Sequence, residues 1–256
     1  MNEKLSNLSV YTLYFLRNIL GSFNALLLVL ALFFVNKQNL PPIIYNILII
    51  VLPLFPWFYY IFAKKIDNFL IDLLVEKIDI KKYELYWKEH IKSKLGSKVL
   101  GYHGLGVTSF YQGKFDESLY YFDKSRQEKM QTKKLRLTLE ESRKNFIIQA
   151  KIFLVQCQKE NSFFKETELA ELLKEADVYM KSIMDVMYYK HPNTFFEQSF
   201  APSSQKLDRL MYKFYQAENA LLLNDVYQAK ILFEELSQEN RELYIVKEAN
   251  KKLATL

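Results

Sequence analysis

Two long apolar runs stand close together near the start of the chain, Asn18 to Val35 and Ile43 to Ala63, and the sequence after them is charged and helix-patterned. The second run holds no charged residue over 21 positions, which at helical rise spans about 31 Å, the hydrocarbon thickness of a bilayer. The connection between the runs, Asn36 to Pro42, is short and rich in turn formers, so the spacing predicts an antiparallel transmembrane hairpin over 1–63 with spans 18–35 and 43–63. A cleavable signal peptide is not expected, because Arg17 lies inside the first helical stretch and no small-x-small site precedes Asn36.

Basic residues near the span ends set the expected orientation. Lys4 and Arg17 precede the first span, Lys37 stands alone in the loop, and Lys64, Lys65, Lys77, Lys81 and Lys82 follow the second. The positive-inside rule then places both termini and the helical tail in the cytoplasm, as a multi-pass protein of the plasma (inner) membrane. Trp57, Tyr59 and Tyr60 fall near the cytoplasmic end of the second span, and Pro53 and Pro56 are expected to kink it there. Asn18, Gly21, Ser22, Asn24 and Ala25 recur at three- and four-residue intervals on the first span, with Asn46 on the second. Small residues allow close helix approach and buried amides seek partners, so this face serves either packing within the hairpin or docking of another membrane protein.

Beyond the hairpin the expected class is all-α. Four of the six prolines lie in 1–63 and glycine is equally scarce, which leaves the tail little turn punctuation and argues for helices with short connections. Ile66, Phe69, Leu70, Leu73 and Leu74 share one face of a connector over 64–95. The region 96–256 has room for one well-buried helical domain. Within it, Phe146, Ala150, Phe153 and Cys157 form one stripe, and Leu169, Leu172, Leu173, Ala176, Met180, Ile183 and Met187 another, ended by His191-Pro192-Asn193. Leu243, Val246, Ala249 and Leu253 form a last helix suited to capping the stack.

Between Val99 and Gln127, Tyr102, Leu105, Gly106, Phe110, Gly113, Phe115, Ser118, Phe122 and Ser125 fall at spacings that make two close-packed helices around a glycine turn. The segment resembles one tetratricopeptide repeat, with the usual aromatic displaced by one to Phe110 and serine at two positions where the family has alanine. A weaker echo spans 210–236, where Ala217, Asn224, Ala229, Phe233 and Leu236 surround a turn at Leu223-Asn224-Asp225. The resemblance implies three helix pairs stacked as a short right-handed superhelix that binds a protein or peptide on its concave face. Carried over by position, that face would include His103, Val107, Phe110 and Tyr111 from the first unit and Phe214, Glu218, Leu221 and Leu222 from the last.

The residues offer no constellation for catalysis, and neither an enzyme activity nor a cofactor is expected. His90, His103 and His191 are far apart with no second ligand at metal spacing, and His90 reads as a surface residue of a Lys-rich helix. Gly101 to Gly106 lacks the order of a phosphate loop and follows no strand pattern. Cys157 is the single cysteine, so no disulfide closes within one chain, and it lies on an apolar stripe as a buried thiol. Asp116 and Glu117 open a helix, where negative charge complements the dipole. Of the net charge of +6, part sits in Arg126, Lys129, Lys133, Lys134 and Arg136, but Glu128, Glu140 and Glu141 interleave or flank them. A solvated helix face results, with no nucleic-acid partner.

The richness in Lys, Asn, Ile, Tyr and Phe fits an AT-rich bacterial genome. The leading expectation is a membrane-anchored adaptor or scaffold that raises the local concentration of what it binds. The alternatives are a bacteriocin or toxin immunity protein whose spans carry the function, and a peptide-responsive regulator. Oligomeric state is left open by the residues.

Overall fold

The computed structural model describes residues 8–17, 26, 29, 54–93, 97–128, 133–157, 174, 176–197 and 205–256. Regular structure within them is all helical. No described helix is long and apolar enough to cross a membrane. The expected first span lies outside the described residues except for Leu26 and Val29, and the second is described only from Leu54 onward.

A first helical segment, α1 (residues 10–17), begins where the Ser9 hydroxyl accepts the backbone N–H of Thr12 at 3.1 Å. It packs on α2 (Leu54–Val75) and α3 (Ile80–Lys92). The α2 face of Ile66, Phe69, Leu70, Leu73 and Leu74 is buried as its periodicity required, and Val10 and Leu13 of α1 join the same core. The core therefore crosses position 63, where a separate anchor was expected to end. Arg17 ties α1 to α2 through Asp67 at 3.0 Å and also donates to the Tyr86 hydroxyl at 3.3 Å. His90, expected at the surface, is 3% exposed beneath Tyr14, and its Nε2 accepts the backbone N–H of Ser97 at 2.9 Å. The run of lysines concealed that it lies on the inner face of α3 with Tyr83 and Tyr86.

The α2–α3 turn places Ile78 at φ +55°, a conformation that costs a β-branched residue roughly 1–3 kcal/mol. Burial of its side chain and acceptance of the Asn240 side-chain amide by its carbonyl at 2.6 Å hold it there. Asp79 then caps α3 by accepting the Lys82 N–H at 3.0 Å.

The 99–127 segment forms α4 (Lys98–Gln112) and α5 (Phe115–Gln127), joined at Gly113 with φ +81°. Gly106 has no room for a side chain, since a Cβ there would meet the Phe122 ring at 2.7 Å. Two buried serines use their hydroxyls across the helix pair. Ser118 donates to the Gly106 carbonyl at 2.8 Å and Ser125 to that of Val99 at 2.7 Å. A second pair, α8 (Lys206–Leu222) and α9 (Val226–Ser237), turns at Asn224 with φ +61°, and Asp225 caps α9 by accepting the Gln228 N–H at 3.0 Å. Ala217 and Ala229 are fully buried in that pair.

Between the pairs lie α6 (Lys133–Cys157) and α7 (Val178–Met184). A π-helical turn, Asp185–Tyr189, extends α7, and the helix stops at Lys190 with φ +56°, before Pro192. Ala176, Met180, Ile183 and Met187 are buried along this stretch as their spacing required, while Leu169, Leu172 and Leu173 lie outside the described residues. The final helix α10 (Tyr244–Leu253) buries Val246 and Ala249, with Leu243 buried just ahead of it.

Repeat arrays touch mainly sequence neighbours, yet here the end of the chain returns to its start. Lys81 pairs with Glu242 at 2.5 Å, the Lys206 N–H reaches Glu76 at 3.3 Å, and Lys247 donates to the Gln112 carbonyl at 3.2 Å. The helix pairs thus close on one another around a shared interior. The reason lies in the apolar sides of α4, α6 and α8, which are too large to leave facing water.

Candidate functional site

Phe153 of α6 stands at the centre of that interior, one helical turn beyond Ala150 on the stripe read from the sequence. Its ring lies 6.1 Å from Phe110, 5.1 Å from Phe115 in a stack, 6.4 Å from Phe214 and 5.2 Å from Tyr244. Offset and edge contacts of this kind add to the apolar burial of each ring. The first and last helix pairs therefore meet through a residue of the helix between them.

Beside Phe153 remains a small recess of about 10 Å³, walled by Phe110, Tyr111 and Phe115 on one side and by Met211, Tyr244 and Ile245 on the other. No charged side chain lines it. Burial pushes the Tyr111 phenol well above its usual range, with the Asp208 carboxylate adding to the shift, so the hydroxyl stays neutral. Tyr215 behind it is held neutral in the same way and donates to Gln149 at 2.8 Å. The volume is far below that of drug-sized ligand sites, about 300–1,000 Å³, and is that of a single water; of its lining only Tyr111 and Tyr244 are partly exposed, and they form its rim.

The structure brings together part of the expected concave face and fills another part. Phe110 and Tyr111 line the cleft. Val107 and Phe214 are core residues, and Phe110 also packs on Phe146 at 5.2 Å, because α6 occupies the space in front of α4. Glu218 is buried and pairs with Lys252 of α10 at 2.9 Å, so its carboxylate is already engaged. Leu221 and Leu222 are half-buried against the core. Asn18, Gly21, Ser22, Asn24, Ala25 and Asn46, read as membrane packing residues, lie outside the described residues, as does the side chain of Cys157. Phe153, Met211, Tyr244 and Ile245 carried no sequence signal of a site, since each belongs to a helix whose partner is distant in the chain.

His103 is half-buried 5.7 Å from the Phe122 ring, and burial together with the Arg143 charge lowers its pKa to about 4. His90 is shifted to about 4 by burial and by Arg17. A folded pKa below the unfolded value means that the unfolded chain binds the proton first, so stability is full above about pH 6.5 and falls as pH drops toward 4. One pKa unit is about 1.4 kcal/mol, and with solvent screening of the half-buried ring the loss at His103 is on the order of 2 kcal/mol. Urea melts between these pH values check this, and His103→Gln is expected to flatten the profile.

Among the described residues no group of three or more His, Cys, Asp or Glu side chains is placed to hold a metal ion. Comparison of the chain with protein-family models, with curated proteins and with solved structures finds no match.

Proposed function

We propose that the chain is a non-enzymatic binding module of the tetratricopeptide kind, anchored by its apolar runs at the inner face of a bacterial plasma membrane, that packs an apolar side chain of a protein or peptide partner on the rim of the recess beside Phe153, at Tyr111 and Tyr244. The observation that carries this reading is the cleft itself, an uncharged recess walled by aromatic and aliphatic side chains from the first and last helix pairs. Binding energy in such interfaces concentrates on a few aromatic or aliphatic anchors that fill desolvated pockets. The two apolar runs support anchoring, since a charge-free stretch of 21 residues is long enough to span a bilayer.

The test is selection of a displayed random-peptide library against the full chain in lipid nanodiscs. Enriched peptides should share one Phe, Leu, Met or Trp at a fixed place. Tyr111→Ala, which removes the half-buried rim of the recess, should weaken their binding about tenfold, or 1.4 kcal/mol, whereas Tyr227→Ala on the exposed side of α9 should leave it unchanged. Absence of a shared anchor, or equal binding by a folded Tyr111→Ala protein, would overturn the reading.

A further inference from the structure

Apolar side chains reverse their exposure along the single helix α2. Trp57, Phe58 and Tyr60 are 56%, 60% and 61% exposed, and Leu54 is 44% exposed. About two to three turns past Tyr60, Ile66, Phe69 and Leu70 are buried, while Ile71 on the opposite side is half exposed. On the N-terminal side α1 buries Val10 and Leu13 while its Tyr11 and Phe15 are exposed, and Leu26 and Val29, also helical, are more than half exposed. The division between the two regimes is marked by charge. Lys64 and Lys65 are exposed just past Tyr60, and the Arg17–Asp67 pair follows, shared with the Tyr86 hydroxyl.

Four large apolar side chains exposed within seven residues of one helix are unusual in water for a soluble monomer, and the physical alternatives are a bilayer or a second copy of the chain. The charge pattern points to the bilayer. The exposed lysines stand about 6–8 Å along the helix axis from Tyr60, the distance that separates hydrocarbon from the phosphate layer, where cations meet anionic headgroups. A dimer with two copies of α2 packed in parallel would bring these like charges together, and an antiparallel one would set the lysines of each copy beyond the apolar surface of the other, so the occupant is read from the lysine placement and tested by quenching.

On the reading of an anchored protein, we infer that the bilayer boundary crosses α2 between Tyr60 and Lys64, and that the Arg17–Asp67–Tyr86 cluster is a clamp on its aqueous side. The surface carrying Leu54, Trp57 and Phe58 faces acyl chains, and Lys64 and Lys65 contact anionic lipid phosphates. Because α2 runs unbroken from this surface into the core, and the clamp joins it to α1, the cytoplasmic domain is held at a set orientation to the membrane rather than on a flexible tether.

Tryptophan depth quenching tests this. The chain has two tryptophans, and Trp57→Phe at an exposed position leaves Trp87 as the internal reference. The full protein is reconstituted in phosphatidylcholine vesicles with a minor share of phosphatidylglycerol, with bromine placed either near the headgroup end of the acyl chain or at its terminus. The emission lost in Trp57→Phe is Trp57's own. It should fall by about twofold or more with the shallow label, and less with the deep one, as expected for a ring close to the interface, while Trp87 is unaffected. If the protein floats with vesicles after alkaline carbonate washing but Trp57 is not quenched, the boundary is misplaced and the anchored reading survives. A protein that does not float defeats anchoring itself, and an unquenched Trp57 in a species sized as a dimer identifies a second copy as the occupant.

Discussion

Replacing Phe153 with alanine is expected to lower stability by about 4 kcal/mol, within the range for removal of a buried aromatic ring. The ring is almost fully buried and touches side chains from α4, α5, α8 and α10. Its loss therefore leaves a cavity that no single neighbour can fill, because those neighbours belong to helices fixed by separate contacts. For a chain of this length about 4 kcal/mol corresponds to a fall in melting temperature of roughly 8–16 °C. Circular dichroism melts in detergent micelles check the value. Phe153→Leu keeps most of the volume but loses the stack on Phe115, and should cost about 1.5 kcal/mol. Equal losses in the two variants would show that ring geometry, and not filled volume, holds the helix pairs together.

Gly106→Val should be nearly as damaging, at about 3 kcal/mol, for the opposite reason of too little space. A Cβ at this position would sit 2.7 Å from two atoms of the Phe122 ring. That ring cannot retreat, since it is fully buried and stacked 5.8 Å from Phe146. The α4–α5 pair would have to separate, weakening the bond from Ser118 to the Gly106 carbonyl at the same crossing. Helix propensity works the other way, favouring most residues over glycine by a few tenths of a kcal/mol up to about 1 kcal/mol, and is outweighed. Phe122→Leu in the same chain should restore at least about 1 kcal/mol in a double-mutant cycle. Strict additivity of the two changes would place the clash elsewhere.

Both effects bear on the recess beside Phe153 and, on the proposed reading, on binding at its rim. The α4–α5 pair sets where Phe110, Tyr111 and Phe115 stand, and Phe153 sets how far they are from Met211 and Tyr244. A folded variant that loosens either contact should change peptide binding together with stability, whereas a change confined to the exposed side of α9 should affect neither.

The helical class, the core stripe of α2, the turns at Gly113 and Asn224, the close crossing at Gly106 and Ser118 and the burial of Val246 and Ala249 could all be read from residue order. Each depends on interactions within a few turns, where glycine, small residues, capping side chains and helical periodicity act directly. The apolar runs were equally plain in the sequence, although most of their residues fall outside the described part of the structure. Tertiary structure alone decided that α1 joins the core, that His90 is an interior acceptor, that α6 fills the space in front of α4, and that the last helices close on the first. Those outcomes arise from contacts between segments as far apart as Ile78 and Asn240. An apolar stripe records that a face must be buried, but the hydrophobic effect has no direction, and only the packed chain chooses which face covers it.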